Sequence, residues 1–222
     1  MTTKNPDAIT RAKAFLYFYE KFDHKAFHLD SAYRYLSQYE AFSQQATYVY
    51  YYFLKGDYRA LVGVVEQKPF ITEDAVTNYQ VAQAYINLND NSKALPWLQK
   101  AIKILPYQLD YRIKLGNTYL QLQHLAQAQK EFEFVTKENP KKADAWNNLG
   151  FLYLIQNNDL RAEAGFRKSL ALDPDYEPAI LNMAKVYMLR GEKAKAGYEL
   201  NKVLKKDPRN SAALQLKGMI GN

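Results

Sequence analysis

The sequence contains no cysteine, which excludes disulfide bonds, thiolate metal ligands and a cysteine nucleophile. Long apolar runs are also missing: the richest stretch, TYVYYYFL at 47–54, is far shorter than the roughly 20 residues that a membrane-spanning helix needs. No glycine-rich phosphate loop, serine-nucleophile elbow or zinc-protease motif occurs. We therefore expect a protein with no catalytic residue, no metal site, no cofactor and no small-molecule substrate.

The N-terminal stretch, MTTKNPDAITRAKAF, lacks the apolar segment of a secretory signal peptide. This favours a cytoplasmic location. A periplasmic or secreted location stays open if a leader has been removed.

Positive charge is in excess and lies toward the C-terminus. The net charge is +7, yet residues 1–74 contain 9 basic and 9 acidic residues. From Glu177 onward there are 9 basic and 4 acidic residues. This distribution permits an acidic partner, and RNA is one of the alternatives to consider.

Four residue types recur at intervals of 34 residues in the second part of the chain. A repeat of this length is typical of a solenoid, in which each unit packs mainly on its neighbours. The recurring residues are the prolines Pro106, Pro140, Pro174 and Pro208, the alanines Ala94, Ala128, Ala162 and Ala196, the tyrosines Tyr85, Tyr119, Tyr153 and Tyr187, and the small residues Ala82, Gly116, Gly150 and Ala184.

The spacing of apolar residues within one repeat predicts a helical hairpin. In residues 143–176, bulky residues at helical spacing form two sets, and the polar stretch QNND separates them. The first set is Trp146, Leu149 and Tyr153, and the second is Ala162, Phe166 and Leu170. The small side chains of Gly150 and Ala162 should let the two helices approach closely, and the proline should end the second helix.

These residues resemble the tetratricopeptide repeat pattern W-x2-L-G-x2-Y…A-x3-F…P, which residues 143–176 match in full. The resemblance implies an all-α fold: a right-handed superhelical solenoid of antiparallel helix pairs. We expect four regular repeats at 75–108, 109–142, 143–176 and 177–210, and a C-terminal capping helix at 211–222. Residues 1–74 are predicted to form two divergent hairpins, giving about six hairpins in all, and Thr72 is expected to cap the helix that follows.

The resemblance also implies a binding site, because the first helix of each tetratricopeptide repeat lines a concave groove. The positions that point into this groove are occupied by apolar residues and amides in most repeats. Carried over to this chain, the groove residues are Tyr79, Gln83, Ile86, Asn87, Ile113, Asn117, Leu120, Gln121, Asn147, Phe151, Leu154, Lys185 and Met188. The alternative is that part of this apolar stripe packs between helices, as apolar helix faces commonly do.

A carboxylate-binding subtype of this family can be tested on the same positions. Asn117 and Asn148 fit two of its places. Its basic places hold Ile113, Pro178 and Asn182, so a bound carboxylate would lack its positive partners. An apolar groove with scattered amides suits an amphipathic helix or an extended hydrophobic peptide better.

We therefore predict a non-catalytic adaptor or scaffold that binds a peptide or helix of a protein partner. The alternatives are a chaperone-like holder of a hydrophobic secreted or membrane client, and an RNA-binding helical repeat protein. His24 and His28, four residues apart, could share a metal on a helix, but a solvated surface is the simpler interpretation. The basic residues of the second helices are expected to be solvated, which argues against RNA, and the chain is expected to be a monomer or a weak homo-oligomer.

Overall fold

The computed structural model describes residues 6–36, 45–67 and 74–221, and all the regular structure within these ranges is helical. The expected all-α fold is thereby confirmed. None of the helices in these ranges is long and apolar enough to cross a membrane.

Thirteen α-helices and one π-helical turn follow one another in the described ranges. Their bounds are α1 (Pro6–Phe18), the π-helical turn (Tyr19–Asp23), α2 (Ala26–Leu36), α3 (Gln45–Lys55), α4 (Tyr58–Glu66), α5 (Ala75–Asn87), α6 (Asn91–Ile104), α7 (Leu109–Gln121), α8 (Leu125–Glu138), α9 (Ala143–Ile155), α10 (Asp159–Leu172), α11 (Glu177–Leu189), α12 (Lys193–Lys206) and α13 (Ser211–Gly221).

Consecutive helices pack as hairpins, and neighbouring hairpins within each of the two units named below stack on one another. α5 pairs with α6, α9 with α10, and α11 with α12, while α10 also contacts α11. The first helices of neighbouring hairpins touch as well, as in α3 with α5 and α9 with α11. The chain divides into two compact units, Met1–Tyr111 and Arg112–Asn222. The repeat boundaries drawn from the sequence stay a prediction.

The turn inside each regular repeat has the same backbone geometry. The second-last residue before the second helix adopts a left-handed conformation, and the amide of the residue after it donates to the carbonyl oxygen of the recurring tyrosine. The left-handed residues are Asn89 (φ 61°), Gln123 (61°), Asn157 (56°) and Gly191 (73°). The hydrogen bonds, each 2.8 Å, are Asp90 N to Tyr85 O, His124 N to Tyr119 O, Asn158 N to Tyr153 O and Glu192 N to Tyr187 O. Only glycine and, less readily, asparagine adopt this conformation at low cost, which accounts for three of the four residues.

The small residues of the repeat lie where two helices meet. A Cβ atom added to Gly150 would lie 2.9 Å from the Phe166 ring and 3.0 Å from the Ala162 carbonyl oxygen. Gly165 is closer still, because its Cβ would lie 2.7 Å from the Gly150 Cα. The predicted close approach of α9 and α10 at Gly150 and Ala162 is confirmed.

The recurring prolines come shortly after the ends of the second helices. Each proline lies two residues beyond the last residue of α6, α8, α10 or α12. At the start of α5, Asp74 is the N-cap: its carboxylate accepts hydrogen bonds from the amides of Val76 and Thr77. Thr72, the expected cap, lies outside the described residues.

Candidate protein-binding surfaces

In the second unit, the first helices α9 and α11 share a row of polar side chains. Asn182 Nδ2 donates to Asn147 Oδ1 at 3.0 Å, and both side chains are buried. Lys185 Nζ donates to Asn182 Oδ1 at 3.2 Å. The ammonium group of Lys185 also lies 6.0 Å from the centroid of the Phe151 ring, within reach of a cation–π contact. The predicted groove residues Asn147, Phe151 and Lys185 are therefore brought together.

Apolar side chains continue this row toward the C-terminal ends of the same helices. Phe151, Leu154 and Met188 are half-buried and pack on the core cluster that contains Phe166. Leu189, the next residue along, is 68% exposed. We call the surface formed by Phe151, Leu154, Lys185, Met188 and Leu189 the α9–α11 face; the predicted groove residue Asn147 is 5% exposed and lies beneath it. The half-buried side chains of this face expose part of their surface to a partner, and the core cluster on which they pack holds them in place.

Two predicted groove residues of α7 are part of the protein interior. Leu120 is 6% exposed and packs in a core cluster with Phe132 and Leu149, and Ile113 is buried as well. Asn117 is half-buried and Gln121 is exposed. At Leu120 and Ile113 the apolar stripe therefore serves helix packing, the alternative that the sequence had left open, and these two side chains offer a partner almost no surface.

In the first unit, the predicted groove residues of α5 are mostly tied to their neighbours. The Tyr79 and Tyr111 rings stack with centroids 4.0 Å apart. Burial, followed by the nearby Asp110 and Tyr111, raises the pKa of the Tyr79 hydroxyl, and a hydrogen bond with Gln83 opposes the rise. Ile86 is half-buried, and the exposed Asn87 donates from Nδ2 to the Gln83 carbonyl oxygen at 2.8 Å.

An open cavity of ≈ 650 Å³ lies in the first unit, between α1, α3 and α5. Ligand pockets commonly have volumes of about 300–1,000 Å³. Exposed Tyr17 and Val76 form the apolar wall of this cavity, and the Tyr50 hydroxyl donates to the Glu20 carboxylate beside it. The full lining is Lys13, Tyr17, Glu20, Ala46, Thr47, Tyr50, Asp74, Val76, Thr77 and Gln80. None of the predicted groove residues lines this cavity, and the signal for it in the sequence is the crowding of tyrosines between residues 17 and 58.

The basic side chains of the second helices are solvated, as the sequence predicted. Each of the nine is exposed, and several pair with acids: Lys202 with Glu199 at 2.8 Å, and Lys206 with Asp175 at 2.5 Å. The full set is Lys100, Lys103, Lys130, Lys137, Arg167, Lys168, Lys202, Lys205 and Lys206.

The two neighbouring histidines do not lie on one helix. His24 follows the π-helical turn with a left-handed backbone (φ 50°), and its ring contacts that of Tyr19. His28 lies within α2, where its ring centroid is 5.9 Å from that of Phe15. Within the described ranges, no three potential metal-ligating residues come together. His24 and His28 therefore do not have the one-turn helical spacing that a shared metal would need.

Three models of one family match the regular part of the chain. Models described as tetratricopeptide repeat match residues 75–106, 113–177 and 160–220. The chain belongs to the tetratricopeptide repeat family. The resemblance drawn from residues 75–210 is thereby confirmed.

Individual tetratricopeptide relatives are distant. The chain is 35% identical to human cilia- and flagella-associated protein 70 over 80 residues, which are 36% of this chain and 7% of that protein. Among solved structures, YrrB, described as a TPR protein with an unusual peptide-binding site, is 23% identical with a TM-score of 0.64, over 79% of this chain and 89% of YrrB.

Two further structures show the same fold. A chain of the APC/C hetero-tetramer Cut9–Hcn1 has a TM-score of 0.70 at 16% identity, over 98% of this chain and 43% of that one. PilF of Pseudomonas aeruginosa has a TM-score of 0.64 at 16% identity, over 80% and 82%. Identities this low carry an argument about the fold alone.

Proposed function

We propose that this protein is a non-catalytic interaction adaptor whose α9–α11 face binds a peptide or helix of a partner protein. The observation that carries the proposal is the composition of that face. Half-buried Phe151, Leu154 and Met188 stand beside the amide pair Asn147–Asn182. Apolar side chains supply contact area, the Lys185 ammonium supplies a donor for a peptide carbonyl, and the buried amide pair holds α9 and α11 together beneath them.

The family supports a protein partner in general terms. Tetratricopeptide repeats stack to form extended binding surfaces, and YrrB is described as having an unusual peptide-binding site. The exposed lysines of the second helices lie outside the α9–α11 face, so they are expected to influence the rate of association more than the affinity.

Two matched substitutions of exposed leucines test the proposal. Leu189 on α11 is 68% exposed and Leu160 on α10 is 78% exposed, so an aspartate at either site should leave the fold intact. Partners are first captured with the wild-type chain and purified. Leu189→Asp should weaken their binding about tenfold or more, and Leu160→Asp should leave it unchanged. Calorimetry of each complex measures the difference.

The other functions predict other outcomes. Equal binding by both variants would refute the α9–α11 face as the site. Binding that falls steeply with salt and is lost on charge reversal of Lys202, Lys205 and Lys206 would indicate RNA instead. Release of a hydrophobic client on contact with lipid vesicles, in place of a stable complex, would indicate a chaperone-like holder.

A further inference from the structure

The loop after α6 differs from the loops after the other second helices. After α8, α10 and α12, an asparagine or aspartate directly follows the helix, and its side chain accepts a hydrogen bond from the backbone amide two residues further on. The three pairs are Asn139 with the amide of Lys141 at 3.1 Å, Asp173 with that of Asp175 at 3.1 Å, and Asp207 with that of Arg209 at 3.0 Å. A side chain that accepts from its own turn in this way stabilises the loop.

Leu105 occupies this position after α6 and cannot accept such a hydrogen bond. Its backbone nevertheless has nearly the same conformation, with φ −122° and ψ 78° against φ −129° and ψ 95° at Asp207. Two residues further on, Tyr107 takes the place of the charged residues Lys141, Asp175 and Arg209. The loop after α6 therefore keeps the shape of the turn and replaces its polar side chains with large apolar and aromatic ones.

These replaced side chains lie in water. Ile104 is 40% exposed, Leu105 is 43% exposed and Tyr107 is 74% exposed. Single apolar side chains are ordinary on a protein surface, but adjacent ones that take the place of a turn-stabilising residue indicate a contact. We call the surface formed by Ile104, Leu105 and Tyr107 the α6 tip.

Positive charge adjoins the α6 tip. Lys100 and Lys103 are exposed, and both lie within one helical turn of Ile104. The chain has no acidic residue from position 91 to position 109. Lys93, the third lysine of α6, lies at the other end of the helix and pairs with Glu66 at 2.8 Å. The charge beside the α6 tip therefore favours an anionic partner.

The small size of the α6 tip favours a lipid surface over a protein. A stable protein interface buries roughly 800 Å² on each side, and even a fully buried aromatic side chain supplies only about 150–250 Å². Three partly exposed side chains fall far short of that area. At a membrane, by contrast, each apolar side chain that enters the headgroup boundary adds to the affinity separately, and each lysine adds its attraction to acidic lipids.

We propose that the α6 tip attaches this protein to an anionic lipid surface. Leu105 and Tyr107 enter the headgroup boundary, where the amphipathic tyrosine ring is well suited, and Lys100 and Lys103 pair with acidic headgroups. So small an attachment is weak and reversible. The α6 tip lies within the first unit, and the proposal does not depend on peptide binding at the α9–α11 face.

Vesicles of defined composition test the proposal on the full chain. Sucrose-loaded vesicles of phosphatidylcholine, with and without about 30% phosphatidylserine, are sedimented with the protein, and the bound fraction is measured at increasing lipid concentration. The wild-type chain should bind the phosphatidylserine vesicles at least about tenfold more tightly than the vesicles of phosphatidylcholine alone.

A neutral substitution in the tip isolates the apolar contribution. Leu105→Asn introduces the residue that the loop after α8 already has, so the net charge is unchanged and the turn gains its hydrogen bond. It should weaken binding to the phosphatidylserine vesicles about tenfold and leave the circular dichroism melting curve intact. Leu160→Asn is the matched control, because Leu160 on α10 is 78% exposed and lies outside the α6 tip, and it should leave binding unchanged.

A paired substitution isolates the contribution of charge. Lys100→Gln combined with Lys103→Gln should weaken binding to the phosphatidylserine vesicles about tenfold or more. Lys130→Gln combined with Lys137→Gln removes the same charge from exposed positions of α8 and should change binding less than about threefold.

Three vesicle results would overturn the proposal. The wild-type chain shows no preference for phosphatidylserine, Leu105→Asn binds as tightly as the wild type, or the α8 lysines matter as much as Lys100 and Lys103, so that net charge alone is responsible. A protein that the wild-type chain captures and Leu105→Asn does not, without any vesicle binding, would overturn it in favour of a protein contact. Leu189→Asp should bind vesicles like the wild type, so the α6 tip and the α9–α11 face can fail separately.

Discussion

Glycine residues in this protein have opposite roles that depend on what faces them. Gly165 in α10 and Gly197 in α12 are both interior helical residues. A Cβ atom on Gly165 would lie 2.7 Å from the backbone of Gly150, whereas one on Gly197 would meet nothing within 4 Å. Backbone cannot move aside as a side chain can, so the first site requires glycine and the second does not.

We therefore expect Gly165→Ala and Gly197→Ala to change stability in opposite directions. Gly197→Ala should raise the free energy of unfolding by about 0.5–1 kcal/mol, the usual difference in helix propensity. Gly165→Ala should lower it by about 1–3 kcal/mol, because overpacking forces α9 and α10 apart. Urea denaturation followed by circular dichroism measures both. A stabilised Gly165→Ala variant would contradict the described packing of this hairpin.

Glu163 links two repeats through its carboxylate. Arg167 Nη2 on the same helix lies 2.6 Å from one oxygen, and Arg190 Nη1, just beyond α11, lies 2.5 Å from the other. Burial opposes ionisation, but the hydrogen bonds from Arg190 and Arg167 together outweigh it and lower the pKa of Glu163. This pairing is more sheltered than the exposed ion pairs, whose contributions are small.

The lowered pKa of Glu163 predicts how its contribution depends on pH. A carboxyl group whose pKa is lower in the folded state stabilises the fold fully above its unfolded pKa, near 4.3 for glutamate. The contribution is lost as the pH falls through the folded pKa. Glu163→Gln should therefore destabilise the protein at pH 7, and the difference from wild type should shrink below pH ~4. Urea titrations across this range measure it, with the exposed Glu138→Gln as control; a pH-independent difference would contradict the ion-pair explanation.

Helix α5 begins with a side-chain N-cap that α8 lacks. The Asp74 carboxylate accepts from the amide of Thr77 at 2.7 Å, whereas His124, at the start of α8, makes no side-chain capping bond. Asp74→Ala should lower the free energy of unfolding by about 1 kcal/mol, and His124→Ala should change it by less than about 0.5 kcal/mol. Thermal denaturation compares them. Equal effects would mean that the cap contributes nothing to α5.

The helices of residues 75–210 could be predicted because several columns fix the same register. Proline, tyrosine and the small residues each mark a different point of the hairpin, so the positions of the turns and the α9–α10 contact follow from the sequence. Upstream these columns are lost, and neither the Asp74 cap nor the cavity beside Tyr17 and Tyr50 could be placed. Spacing alone also could not separate buried Leu120 from half-buried Leu154, because both are leucines at the same position of their repeats.

At the scale of the whole molecule, apolar burial is spread along the chain. Separate clusters form around Leu16, Phe132, Phe166 and Leu200, each built from neighbouring helices. Stability in such an array is approximately a sum of terms within repeats and between adjacent ones. Damage at one end should therefore weaken the nearest helices first and leave distant ones unaffected.

Removal of α13 tests this distribution of stability. Ala213 belongs to the cluster formed by Ile180, Leu200 and Val203, with Leu216 and Ile220 packed against it. Deleting residues 211–222 would expose that apolar surface to water, so amide exchange should accelerate in α11 and α12 and stay unchanged in α5 and α6. Ala213→Asp should accelerate the same helices without shortening the chain. Hydrogen exchange with mass spectrometry resolves the two regions. If α11 and α12 keep their protection in both variants, α13 does not cap the array; if α5 and α6 lose theirs as well, the protein unfolds as one cooperative unit and the nearest-neighbour account fails.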